Sequence, residues 1–475
     1  RELVFVDDGS RDGTGERLDA LAAEHPDVRV VHIPNSGWPG RPRNVGLETA
    51  RGEFVFFADH DDWLEPDALE RLYAATTEHA ADIVIGKVVG HGGRRTAQLS
   101  RVDRHGLDAA DVPLGLLTPH KLFRRALLEE HAIRFPEGEQ RLEDHLFVVP
   151  AFFAAGRISV LVSHPVYHWV LRADRENSSS RRAAPDAHFV AVRELLAMVD
   201  ARTEPGPVRD RYHAHWYRGK VLVRLGWYRG EPAYRAQVFA AARALIAERF
   251  PPRLDEALAF NFRLRARLAR HGDLSGMEQL VAFESSLRAR ARVTAAHPDG
   301  DTLVLKVTGR LRRGGRRAIA FTRRGDGLLW EPPPELAEAF EEDERAVATL
   351  PGEVGIMLRS QEDETEWGLA VASKAHLPAA AEGEAIFPRV SGRARIDPAV
   401  AAGGGALPPG RYDVRATLAI AGFSAEAAAR VQGRPLTITV SPAGKVIPSE
   451  HVGGAPRPAS RLARVRARIA RALRR

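Results

Sequence analysis

The chain has 475 residues, 44% hydrophobic and 28% charged, a globular composition too long for one core, and a prior of roughly 100–200 residues per domain gives about three domains. It has no cysteine, which excludes disulfides, thiolate nucleophiles and cysteine-ligated zinc and fits a reducing compartment. The net charge of +7 sits in the tail: residues 451–475 hold eight arginines and no Asp or Glu, so the near-neutral remainder is not a uniformly basic nucleic-acid surface, and no nucleic-acid partner is expected.

The opening run LVFV (3–6) ends at DDGSRDGTG, and the stretch from about Thr14 to Glu24 places Leu18, Leu21 and Ala22 on one helical face. A second apolar run, VRVVHI (28–33), leads into a loop with Asn35, Gly37 and Gly40. A short helix from about Pro42 to Ala50 precedes the strand FVFFA, which runs into Asp59, His60, Asp61 and Asp62. Pro66 suits a first helical turn, a helix carries Leu69, Leu72 and Tyr73, and DIVIGKVV supplies another strand. Continuous apolar strands joined by helices predict a mostly parallel sheet covered on both faces. From about Asp186 to Val293 the period becomes helical, with Trp216, Tyr217, Trp227 and Tyr228 as fillers. Beyond Pro298 it alternates in twos, as in Leu303, Leu305 and Val307, which predicts an all-β sandwich. The predicted division is 1–182 for the α/β domain, 183–293 for a helical linker, 294–445 for the sandwich and 446–475 for a Pro/Gly-rich linker and basic tail. The chain opens on Arg1 and enters a strand almost at once, so a preceding piece is expected. No charged-then-apolar leader and no run of about 18 apolar residues is visible.

In an open parallel sheet ligands gather outside the carboxyl ends of the strands, where Asp7, Asp8, the Asn35 loop and Asp59 to Asp62 all fall. In an extended segment residues i and i+2 share a side, so Asp59 and Asp61 point together while His60 points away. Two converging carboxylates with oxygen-only donors favour Mg²⁺ or Mn²⁺. The plainer reading is a polar turn capping a helix that starts near Glu65, with Asp62 as its N-cap.

ELVFVDDGSRDGT, NSGWPGRPRNVGLETARGEFVFFADHDDWL and LEDHLF, taken in order over roughly the first 180 residues, resemble the successive motifs of family 2 inverting glycosyltransferases. That resemblance implies a GT-A catalytic domain, Rossmann-like in its α/β layering. It implies Asp8 on the uracil of a UDP-sugar, Asn35 and Arg43 as further nucleotide contacts, Asp59 and Asp61 as the metal pair, and Asp144 as general base. From the residues alone Asp144 could instead cap a helix, and Glu143 is an equally acidic neighbour. YHWVLRADRENSSS resembles the family's mobile loop near the donor phosphates, with His168, Arg172 and Ser178 as contacts, or else it is a solvated polar loop. Family members begin with a strand and loop that would precede Arg1 here, and donor binding depends on that piece. The residue between their metal carboxylates is usually smaller than His60.

A GT-A domain, a helical linker and a C-terminal immunoglobulin-like sandwich together resemble the bacterial enzymes that glycosylate wall teichoic acids. This implies UDP-N-acetylglucosamine as donor and a polyol-phosphate chain as acceptor. The expected reaction is inverting transfer of a sugar to a hydroxyl of a cell-envelope polymer, with a capsular or exopolysaccharide acceptor as one alternative and a non-catalytic glycan-polymer-binding protein as another. The sandwich shows no nucleophile or paired acids, which suits acceptor binding or self-association into a homo-oligomer. In the tail, Leu462, Val465, Ile469 and Leu473 share a helical face among arginines, which suits residues 459–475 to an anionic membrane surface. A cytoplasmic location, peripheral at the inner face of the membrane, follows. A disordered tail, or one that binds an acidic polymer, fits the same residues.

Overall fold

The computed structural model describes residues 1–92, 94, 96, 102–171, 184–226 and 231–450. The chain divides into two compact units, Arg1–Ala282 and a second from Phe283 onward.

In the first unit β1 (Leu3–Asp7), α1 (Thr14–Glu24), β2 (Val28–His32) and α2 (Gly40–Thr49) form the predicted strand–loop–helix alternation, with β1 and β2 paired in parallel. A second sheet holds β3 (Phe54–Phe56), β4 (Trp63–Leu64), β5 (Ile83–His91), β6 (Arg104–Leu107), β7 (Lys121–Arg124) and β8 (Ile158–Val170). Its order is β3-β7-β5-β8-β4, with β6 beside β8. Only β5 and β8 run parallel, so the expected mostly parallel sheet is a mixed one. Burial on both faces makes strands continuously apolar whichever way they run, so the sequence pattern could not report direction.

Helix α3 (Ala68–Glu78) buries Ala68, Leu72 and Ala75 against Val84, Leu122 and Val166. Helix α4 (Arg125–Glu130) follows β7, and α5 (Glu143–Ala154) precedes β8. Phe57, Phe123, Phe135 and Phe147 form an aromatic knot at the root of the site, Phe135 stacking on Phe147 at 3.9 Å between ring centres. Such pairs contribute about 0.5–1.5 kcal/mol each beyond their buried area.

Helices run on from Ala187–Asp200 to Leu274–Ser286, and the first strand of the β unit, β9 (Arg288–Asp299), follows at once. The linker–sandwich boundary expected at 293 therefore falls inside β9. In the β unit, one sheet contains β9, β10 (Thr302–Arg313), β11 (Arg316–Arg317) and the strands Val371–His376 and Arg389–Ile396. A second is built around Gly352–Ser360 and Gly410–Ile420, and Ala320–Arg324, Gly327–Glu331 and Ala346–Val347 form a small third sheet. Alternating residues of the two larger sheets, Leu303, Leu305, Val307, Leu358, Val414 and Leu418, are buried, as in a face-to-face packing of two mainly antiparallel sheets.

Candidate active site

The loop after β1 meets the loop after β2 through Asp8, whose two carboxylate oxygens accept from the backbone N–H and the hydroxyl of Ser36, each at 2.8 Å. Asn35 donates its side-chain amide to the Asp8 carbonyl at 2.9 Å. Gly9 allows this approach: its φ is 73°, and a Cβ there would sit 2.8 Å from the Asn35 nitrogen. The structure thus joins Asp8 to Asn35, while Asp7 is tied to Ser10 and His32.

Helix α2 carries Arg43 on an anchored backbone. Asn44 both donates to the Phe135 carbonyl and accepts from its N–H, at 2.9 Å each way. Gly40 packs so closely that a Cβ would lie 2.1 Å from the Pro136 carbonyl oxygen. From this platform the Arg43 guanidinium, only 13% exposed, donates to Asp144 Oδ1 at 2.7 Å and to Asp59 Oδ1 at 2.9 Å. Burial alone would weaken its hold on its proton, but Asp144 and Asp59 outweigh burial and keep the guanidinium firmly charged. Asp144 occupies the first turn of α5, where the helix dipole favours an anion. Beside it, burial and the neighbouring Asp144 push the Glu143 carboxyl well above its ordinary range. Asp144 therefore does not act as a helix cap outside the site; it faces the same cation as Asp59.

The acidic cluster does not continue as a strand. The chain turns at His60 and Asp61, closed by the Asp62 N–H donating to the Asp59 carbonyl at 3.2 Å. A turn brings its first and fourth residues together, so Asp59 and Asp62, rather than Asp59 and Asp61, converge. The helix expected from Glu65 starts only at Ala68, because Trp63 and Leu64 pair with His168 and Tyr167 as β4. Nor is Asp62 a helix cap. It accepts from the Tyr167 hydroxyl at 2.6 Å and from the Val170 N–H at 2.8 Å, and Tyr167 accepts the Asp59 N–H at 2.9 Å. Burial raises the Asp62 carboxyl to about 6 against those two hydrogen bonds. Burial also pushes Asp59 upward, but the Arg43 guanidinium outweighs it and leaves Asp59 below the usual carboxylate range.

Among the described residues, Asp59, Asp62 and His120 form a group whose ligand atoms lie within 4.8 Å of one another, and Asp61 is outside it. The His120 side chain is 2% exposed and stacks on Tyr167 at 4.2 Å. Its Nδ1 lies 3.3 Å from the Phe57 carbonyl, the partner that lets Nδ1 carry the proton. Burial pushes the imidazole below its ordinary pKa, so it is neutral near pH 7. Its Nε2 then directs a lone pair at Asp59 Oδ2, 3.7 Å away. Two lone-pair donors face each other at a separation that neighbouring ligands of one divalent ion adopt, so these residues fit a metal, with the Phe57 carbonyl orienting the histidine from behind.

His168 lies on β8 with both ring nitrogens engaged, Nδ1 at 2.7 Å from His91 Nε2 and Nε2 at 2.8 Å from Glu65 Oε1, while Trp63 stacks on its ring. Arg172, Ser178 and the basic tail lie outside the described residues. Sequence reasoning missed Ser36, His120, Tyr167 and Arg94, whose guanidinium stacks on Trp169 at 3.5 Å and feels the charges of Asp62, Asp59 and Asp61. For His120 the only available signal was a lone histidine just before a strand.

Two joined loops after β1 and β2, a cation gripping two acids and a candidate metal group lie together in an α/β domain of the GT-A-like type. Residues 1–162 match glycosyl transferase family 2, and residues 185–281 match the glycosyl transferase TarS linker domain. Over these two stretches the chain is similar to family 2 glycosyltransferases and to the TarS linker.

It is 36% identical over 204 residues to the poly(ribitol-phosphate) beta-N-acetylglucosaminyltransferase TarS of Staphylococcus aureus strain Mu50, which covers 42% of this chain and 34% of that protein. It is 28% identical over 298 residues to the poly(ribitol-phosphate) beta-glucosyltransferase of Bacillus spizizenii, covering 60% and 46% respectively. The chain thus spans less than half the length of both curated relatives. The crystal structure of S. aureus TarS residues 1–349 in complex with UDP-GlcNAc aligns with a TM-score of 0.51 at 27% identity, covering 60% of this chain and 82% of that one. A longer S. aureus TarS structure aligns over 94% of this chain and 78% of its own, with a TM-score of 0.53 at 19% identity. The second likeness speaks to the fold alone, and it extends into the β-rich region. Among the described residues no helix is long and apolar enough to cross a membrane.

Proposed function

We propose that this chain transfers a sugar from a UDP-sugar, UDP-N-acetylglucosamine in the leading reading, to a hydroxyl of a polyol-phosphate cell-envelope polymer with inversion at the anomeric carbon. The observation that carries this reading is the Arg43 bridge, one guanidinium holding Asp59 of the candidate metal group and Asp144 of the helix start within hydrogen-bond distance. Asp8 and Asn35 would hold the uracil between their joined loops. Asp59, Asp62 and His120 would hold Mn²⁺ or Mg²⁺, which when bound neutralises the diphosphate of the leaving UDP.

With Asp144 Oδ1 on Arg43, its second oxygen is the group available to accept the acceptor proton. The acceptor oxygen bonds to the anomeric carbon as the bond from that carbon to phosphate breaks and its electron pair leaves with UDP. The Arg43 charge then lies between the developing diphosphate and the newly protonated Asp144, where a fixed cation acts without reorganising. Burial and Asp144 push the Glu143 carboxyl up to about 7, so near neutral pH it is only partly ionised. UDP-N-acetylglucosamine is favoured by the likeness to TarS, whose crystal structure holds UDP-GlcNAc. UDP-glucose is the second reading, because the Bacillus spizizenii relative matches a longer stretch.

The test is transfer by the full chain, with added Mn²⁺, from each of these two donors to a ribitol-phosphate oligomer. Product from either supports the reaction class and ranks the donors. Turnover of neither donor, with UDP bound, would reject it.

A further inference from the structure

The outward face of the first sheet of the β unit is an unusual surface. Arg290 and Arg292 on β9 and Arg310 and Arg312 on β10 occupy successive outward positions, and the register sets Arg310 opposite Arg290 and Arg312 opposite Arg317. With Arg389 from the neighbouring strand they line a groove of about 430 Å³. Like charges directly opposite each other across a ladder are destabilising. The sole carboxylate in β9, β10, β11 and the strands 371–376 and 389–396 is Asp299, and it is already paired with Arg395. Arg310 Nε and Arg312 Nε are buried with no hydrogen-bond partner among the described residues. Burial, then Arg317 and Arg389, push the Arg310 guanidinium below its ordinary pKa. A sheet face that gathers cations without acids, and leaves the Nε–H of Arg310 and of Arg312 unmatched while Arg312 Nη2 donates to the Gly315 carbonyl, is complementary to an anion supplied from outside.

The geometry points to this arginine-lined groove as a binding site for a phosphodiester-linked polyol chain, separate from the residues proposed to carry out transfer. The inference rests on the polymer acceptor proposed above and assigns that polymer a second foothold. A row of guanidiniums at every second residue along two paired strands, about 6.6–6.8 Å apart, suits a chain with one charge per repeat better than a single small anion. A lipid surface is disfavoured because none of the exposed large apolar side chains lies in these five strands, leaving nothing to insert below the headgroups. Nucleic acid is disfavoured because the residues that line the groove include no aromatic ring on which a base could stack.

The test uses the full chain and its Arg290→Gln/Arg310→Gln double variant, with binding of a fluorescent ribitol-phosphate oligomer followed from about 50 to 200 mM salt. The wild type should bind more weakly as salt rises. The variant should bind roughly tenfold more weakly with a shallower salt slope, as expected for two lost charge contacts, while its melting temperature stays level or rises because like charges have been removed. Unchanged affinity in the variant, or equal wild-type affinity for a neutral glycan of the same length, would overturn the site. Loss of binding to phosphatidylglycerol vesicles with polymer binding intact would overturn it in favour of a membrane surface. Transfer to a single-repeat ribitol-phosphate acceptor separates the two claims. If that transfer is absent in the wild type the proposed reaction fails, while the binding comparison still decides the groove.

Discussion

Replacing Arg43 by glutamine removes the side chain that bridges Asp59 and Asp144, and it leaves both carboxylates without that cation. Breaking a buried pair by removing one partner costs about 3–5 kcal/mol. The acids here are 34% and 27% exposed and can recover some hydration, so the lower end, about 3 kcal/mol at pH 7, is expected. The pH dependence has a definite sign. Asp59 is held below its unfolded value, so its contribution is fully present above the unfolded pKa of 3.8 and is lost as pH falls through its lower folded value. Denaturant unfolding of wild type and Arg43→Gln, followed by a probe in the first unit, should differ by about 3 kcal/mol at pH 7 and converge as the medium is acidified below that range. A difference under about 1 kcal/mol at pH 7, or one that does not shrink in acid, would refute the account of Arg43 as an electrostatic brace.

Three further outcomes are expected. Tyr167→Phe strands the Asp59 N–H and takes a donor from Asp62, and it should cost about 1–3 kcal/mol; an unchanged melting temperature would contradict the turn described. His120→Phe should weaken Mn²⁺ binding at least about 10–100-fold, as read by electron paramagnetic resonance of the free ion, and Asp62→Asn should weaken it more than Asp61→Asn; the reverse order would restore the i, i+2 pair. His188, whose Nε2 sits 3.0 Å from the Lys220 carbonyl oxygen, is lowered from 6.5 to about 4, chiefly by burial. Its share of stability is complete above pH 6.5 and is lost at up to about 1.4 kcal/mol per pH unit as the medium is acidified toward 4; a His188→Gln variant with the same acid slope as wild type would show that another group is responsible.

How far the sequence carried can be read from particular residues. The runs LVFV and VRVVHI, each ending at a polar loop, were enough to place Asp8 beside Asn35, because a βαβ unit leaves those loops few alternatives. The β unit announced itself by its period of two, and RARAR at 288–292 already contained the arginine face, hidden only because its partner strand and register could not be known. The Asp59–Asp62 pair was not legible. Whether DHDD runs extended or turns depends on Trp63 and Leu64 joining β8, a contact about a hundred residues away in sequence. His120 and Tyr167 were silent for the same reason, since what makes them part of the site is the tertiary stacking of their rings. Strand direction in the second sheet was equally hidden, because burial on both faces erases the alternation that would report it.

The central claim is that Asp144 takes the acceptor proton while Arg43 holds it in place. The most direct measurement is single-turnover transfer from UDP-N-acetylglucosamine to a ribitol-phosphate oligomer by wild type and Asp144→Asn, alongside UDP affinity for each. The account predicts a loss of about 10²–10⁴-fold in the transfer rate with UDP affinity unchanged within a few-fold. Transfer within tenfold of wild type, or a rate loss matched by an equal loss of UDP affinity, would contradict it.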